Sequence, residues 1–78
     1  MYKPTAAIIT GKRLCGNDWE ISLRSHTGKA FTLEITWESG ADWHIGEYVF
    51  CNGDFCVRSN KERVLSRYKE VTGEDVEI

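Results

Sequence analysis

Trp19-Glu20-Ile21-Ser22-Leu23-Arg24-Ser25 and Phe31-Thr32-Leu33-Glu34-Ile35-Thr36-Trp37 decide the fold of this chain. In the first run Trp19, Ile21 and Leu23 alternate with Glu20, Ser22 and Arg24. In the second, Phe31, Leu33, Ile35 and Trp37 alternate with Thr32, Glu34, Thr36 and Glu38. Apolar residues at every second position line one side of a pleated strand, so the two runs predict antiparallel strands with one buried face. Parity sets their register. A two-residue loop would place Leu23 opposite Thr32 and turn the apolar rows to opposite sides. A three-residue loop, His26-Thr27-Gly28, pairs Leu23 with Phe31, Ile21 with Leu33 and Trp19 with Ile35. It also puts Gly28 at the left-handed position of a type I turn with a G1 bulge. The same register sets Glu20 opposite Glu34, a mild like-charge conflict.

Upstream, Ala6-Ala7-Ile8-Ile9-Thr10 reads as a first strand at an unpaired edge, and Arg13-Leu14-Cys15 continues it past a bulge or a turn. Gly16-Asn17-Asp18 carries turn chemistry. Downstream, Glu38-Ser39-Gly40-Ala41-Asp42 is a turn, and Trp43 to Cys51 is a strand with a bulge at Gly46. Asn52-Gly53 is a strong hairpin signal. As a loop it pairs Phe50 with Phe55, Val49 with Cys56 and Glu47 with Arg58. The competing loop, Gly53-Asp54, sets Cys51 opposite Cys56. Thr27-Gly28-Lys29 followed by Thr32-Leu33-Glu34 resembles the first hairpin of ubiquitin, and the likeness covers that hairpin alone. The pattern Gly-x-Asp-Trp-x-Ile occurs at Gly16–Ile21 and again at Gly40–Ile45, each time at a turn entering a strand. It is too short to define a repeat architecture.

Ser59 and Glu62 form a capping box, and Val64, Leu65, Tyr68 and Val71 share one helical face. Gly73 stands where a left-handed cap belongs. Val76 and Ile78 suggest a short last strand. The expected order is β-β-β-β-β-α. This is an α+β fold in which an antiparallel sheet of four to five strands is packed by one C-terminal amphipathic helix, and residues 1–78 make a single domain. A small curled barrel with a terminal helix is the other architecture this order allows.

The chain has 78 residues and a net charge of −2, which argues against indiscriminate nucleic-acid binding. Charge is segregated instead. Residues 31–57 hold five acidic side chains and no Lys or Arg, whereas residues 58–69 hold five basic and one acidic. The N-terminus has no signal-peptide pattern and no apolar run is long enough to span a bilayer. Three cysteines, Cys15, Cys51 and Cys56, are an odd count for a disulfide framework. A cytoplasmic protein with free thiols is the expectation.

Five residues could ligate a metal: Cys15, Cys51, Cys56, His26 and His44. Only Cys51 and Cys56 are close in sequence, so neither metal nor cofactor is expected, although a small metal-stabilised domain stands as the third reading. Ser25 and His26 point to opposite sides of a strand, and no phosphate loop or nucleophile motif is present. An enzyme is not expected. Arg58, Arg63 and Arg67, with the hairpin aromatics Tyr48, Phe50 and Phe55, make a single-stranded nucleic-acid interface the second reading. The first reading is a stand-alone interaction or inhibitor-type protein. Its acidic–aromatic surface would comprise Trp37, Glu38, Asp42, Trp43, Glu47 and Tyr48, suited to a basic protein or nucleoprotein partner. The Ala6–Thr10 edge would further permit a homodimer.

Overall fold

The computed structural model describes residues 2–78. Within them the elements are β1 (Tyr2–Cys15), β2 (Asp18–Ser25), β3 (Ala30–Thr36), α1 (Trp37–Gly40), β4 (Tyr48–Gly53), β5 (Phe55–Ser59) and α2 (Lys61–Thr72). The strands form one antiparallel sheet in the order β3-β2-β1-β4-β5, followed by the C-terminal helix. The fold is α+β, with α1 a short helix where only a turn was expected.

The β2–β3 hairpin has the register that parity demands: Trp19 faces Ile35, Ile21 faces Leu33 and Leu23 faces Phe31. Gly28 takes the left-handed conformation at φ 88°. The buried Ser25 hydroxyl accepts hydrogen bonds from the Thr27 and Lys29 amides, both at 3.2 Å, which locks the turn. Glu20 does sit opposite Glu34, but Arg13 pairs with Glu20 at 2.8 Å and offsets the conflict.

β1 is the central strand, not an edge. It pairs with β2 on one side and β4 on the other, so Ala6–Thr10 offers no free edge for a homodimer. The burial of Ala6 and Ala7 explains the placement. Ala6 packs against Phe50, Val64 and Tyr68, and Ala7 packs with Ile9, Ile21 and Val49 on the opposite face. Small side chains on both faces let the layers on either side approach closely. The ladder shifts register between Ile9 and Gly11, leaving Thr10 as an extra residue. This bulge reverses parity, so Lys12 and Leu14 follow Ala7 and Ile9 on the inner face.

Three further boundaries differ from expectation. β4 starts at Tyr48, because His44 to Glu47 closes a turn, with the Glu47 amide donating to the His44 carbonyl at 3.2 Å. Gly46 occupies the third turn position at φ 94°, as a type II turn requires. The β4–β5 loop is Gly53-Asp54, so Cys51 faces Cys56 and Phe50 faces Val57. β1 pairs with β4 as far as Gly53, which keeps Asn52 extended. The left-handed φ of 63° then falls on glycine, at the first position of a type II′ turn. Finally, Asn60 rather than Ser59 caps α2, its Oδ1 accepting from the Arg63 amide at 2.9 Å. Gly73 is the left-handed C-cap, as expected. Val71 overhangs and is exposed, and residues 74–78 form no strand although Val76 and Ile78 pack against the helix-side core.

Two apolar clusters flank the sheet. The outer one joins Ala6, Phe50, Val64 and Tyr68 under α2. The inner one joins Ala7, Ile9, Ile21, Leu23, Leu33, Val49 and Cys51, with Trp19, Phe31, Ile35, Trp43 and Cys56 around it. No long helix covers this inner face, yet Ile21, Val49 and Cys51 are fully buried. The sheet itself must coil over them, helped by α1 and the loop bearing Trp43. Full burial of each large aliphatic side chain stabilises by about 1.5–3 kcal/mol.

Candidate functional site

The register that pairs Trp19 with Ile35 and Asp18 with Thr36 ends β3 beside Trp19. Thr36 then caps α1, its hydroxyl accepting from the Ser39 amide at 3.3 Å. The resulting turn folds Trp37 back onto Trp19. The two rings stack with centroids 5.1 Å apart and planes 13° apart. Lys12, brought inward by the β1 bulge, holds its ammonium 4.2 Å from the Trp19 ring centroid and donates to the Ala41 carbonyl at 3.3 Å. Gly40 closes the far edge of Trp19. Trp19 is half-buried, but Trp37 remains 52% exposed. Leu14, the cross-strand neighbour of Trp19, is also exposed.

The six residues expected to form the acidic–aromatic surface do not act as one patch. Trp37 and Glu38 stand together on α1, both exposed, and Asp42 is exposed on the next loop. Trp43 turns inward against the sheet core. Glu47 is held by Arg58 at 3.2 Å and by the His44 amide at 2.7 Å. Tyr48 lies on the opposite face, in the helix-side cluster. Lys12 and the β1–β2 end, which the sequence did not link to Trp37, complete the platform in their place.

The three arginines of the nucleic-acid reading also separate. Arg58 is committed to Glu47 and to the Asp42 carbonyl. Arg63 and Arg67 line an open groove of about 510 Å3 between β5 and α2, beside the exposed Phe55 and Val57. Glu62 and Glu70 line the same groove and offset the positive charge.

Of the five potential metal ligands, Cys51 and Cys56 are adjacent on the inner face, whereas Cys15 is exposed at the end of β1. His26 bridges the first hairpin to β1: its Nδ1 accepts from the Ala6 amide at 3.3 Å and its ring lies 4.6 Å from that of Tyr68. Sequence reasoning missed this structural role. Among the described residues, no three His, Cys, Asp or Glu side chains gather to hold a metal. Among the described residues, no helix is long and apolar enough to cross a membrane.

The two thiols on the inner face perturb each other in opposite directions. The adjacent Cys51 side chain lowers the Cys56 pKa below the ordinary thiol value, against the opposing effect of burial. That same contact, together with burial, raises Cys51 far above it.

No family model matches the chain, and neither characterised proteins nor solved structures provide a match to it.

Proposed function

We propose that the chain is a small interaction protein that engages a basic protein partner through the Trp37 end of the molecule. The observation that carries this reading is the exposed indole of Trp37, held at 5.1 Å on Trp19 rather than left to rotate. Trp anchors interfaces because it offers a large contact area, and a ring already fixed in place loses little freedom on binding. Glu38 adjoins Trp37 on α1, and both are exposed, so a carboxylate accompanies the indole. An arginine from a partner can stack on the open indole face while its guanidinium pairs with Glu38. Trp43, Glu47 and Tyr48 take no direct part: they support the loop and the two cores.

The test is a titration with arginine-rich and glutamate-rich peptides of equal length, followed by tryptophan emission. The arginine-rich peptide should quench emission and bind more weakly as salt rises, and Trp37→Ala should weaken it about tenfold or more. Equal affinity for wild type and Trp37→Ala would refute the reading.

A second reading rests on the β5–α2 groove, where Phe55 and Val57 are exposed beside Arg63 and Arg67. Bases could stack there against a cationic wall. An oligonucleotide that binds with a steep salt dependence, and loses affinity in Arg63→Ala and Arg67→Ala, would favour it.

A further inference from the structure

We infer that Cys51 and Cys56 form an oxidisable dithiol, a covalent modification site at which a low-molecular-weight disulfide closes a cross-strand bond inside the β4–β5 hairpin. The inference does not depend on the Trp37 platform. It rests first on register. Cys51 and Cys56 are directly opposite across antiparallel strands. Asn52 and Phe55 flank the two-residue turn and make the hydrogen-bonded pair beside it. The next pair out, Cys51 and Cys56, is therefore a non-hydrogen-bonded pair, the kind whose side chains lie closer together. Cα atoms at either type of antiparallel position fall within the range a disulfide spans. Both side chains point to the inner face, where they meet at the edge of the same apolar cluster.

The pair is also asymmetric, which sets the order of events. Cys51 is fully buried, whereas Cys56 is partly accessible at the rim of the same cluster. The neighbouring Cys51 side chain also favours the Cys56 thiolate, the form that attacks a disulfide. The Cys56 thiolate attacks one sulfur of the incoming disulfide, that S–S bond breaks, and one thiolate leaves. Cys51 then loses its proton to solvent and attacks the Cys56 sulfur, displacing the second thiolate. Two protein thiols are oxidised to one disulfide, and the reagent is reduced to two thiols. Once Cys56 is in a mixed disulfide it carries no negative charge, so the charge that opposed ionisation of Cys51 is gone. Cys15 is exposed near the β1–β2 turn and has no thiol partner among the described residues.

The experiment equilibrates native reduced protein with oxidised glutathione, blocks the remaining thiols by alkylation and maps tryptic peptides. Trypsin separates Cys15, in the peptide 14–24, from Cys51 and Cys56, which share the peptide 30–58. Wild type should lose two hydrogens within 30–58, without an adduct there. Cys51→Ser keeps a hydrogen-bond donor but no second thiol, so it should stop at a glutathione adduct on Cys56. Cys56→Ser should slow modification of Cys51 by about tenfold or more, because the remaining thiol is buried. The wild-type map decides whether the bond forms without relying on either variant. Two thiols in 30–58 that remain alkylatable on subsequent unfolding, a bond that includes Cys15, or undiminished modification of Cys51 in Cys56→Ser would each overturn the inference.

Discussion

A methyl group added at Gly40 would lie 2.5 Å from Cδ1 of Trp19, well inside contact distance. Gly40 is buried and adopts no left-handed conformation, so space rather than backbone freedom dictates glycine here. Ile35 closes the same spot from the other side, with Cδ1 at 2.9 Å. The short α1 helix can bring Trp37 over Trp19 only because this residue has no side chain.

Gly40→Ala should therefore destabilise the protein by about 1–3 kcal/mol, the usual cost of overpacking. Urea denaturation followed by tryptophan emission measures it. The stacked pair should also loosen, seen as a loss of near-ultraviolet circular dichroism at temperatures where the sheet persists. A neutral substitution would mean that Trp19 has room to move.

The β4–β5 turn gives a second prediction. Gly53 holds φ 63° at the first position of the turn, whereas Asn52 is a strand residue paired with Phe55. Gly53→Ala should cost about 1 kcal/mol or more, since a side chain at positive φ is strained. Asn52→Ala should cost less than half as much. A comparable cost at Asn52 would contradict this turn, because an Asn52-Gly53 loop needs positive φ at both residues.

Cys56 should titrate below the ordinary thiol value of 9.0 in the folded protein. The sign follows from two opposed effects: the neighbouring Cys51 side chain lowers its pKa and burial raises it, with the effect of Cys51 the larger. Cys51→Ala removes that thiol and leaves burial alone, so the Cys56 pKa should move above the ordinary value. The pH dependence of alkylation at Cys56, compared between wild type and variant, checks both directions. A Cys56 pKa that is unchanged in Cys51→Ala would refute the influence of Cys51.

Arg58 secures the loop that carries Trp43 by binding Glu47 at 3.2 Å and the Asp42 carbonyl. The pair is about one-third exposed at each partner, which limits its strength. Arg58→Ala should cost about 1 kcal/mol, with part of the difference lost at high salt. Amide exchange at residues 43–47 should accelerate more than exchange in β2. Uniform acceleration across the chain would show instead that Arg58 supports the whole fold.

The β2–β3 hairpin was legible because its two rows of apolar residues admit only loops of odd length, and glycine marks the position that needs positive φ. The β4–β5 hairpin was not, for a physical reason. The Asn52-Gly53 and Gly53-Asp54 loops differ by two in register, so both place Val49, Cys51 and Cys56 inward and Phe50 and Phe55 outward. Alternation cannot separate them. The decision comes from β1, which pairs with β4 as far as Gly53. That long-range contact also made Ala6–Thr10 central, which two small residues in a row do signal when read as close packing on both faces.

The candidate surface was only partly legible. Trp37 and Glu38 are neighbours in sequence and in space. Trp43 and Tyr48 point to opposite sides because the Gly46 turn and the start of β4 intervene. Lys12 reaches Trp19 through the bulge at Thr10, and although an irregularity before Arg13 was legible, the inward turn of Lys12 that follows from it was not.

Amide chemical-shift mapping during titration with the arginine-rich peptide tests the proposed interaction surface most directly. The largest shifts are expected at residues 12–20 and 36–42, around Lys12, Trp19, Trp37 and Glu38, and they should vanish in Trp37→Ala. Shifts concentrated instead at Phe55, Val57, Arg63 and Arg67, or no saturable shifts at all, would contradict it.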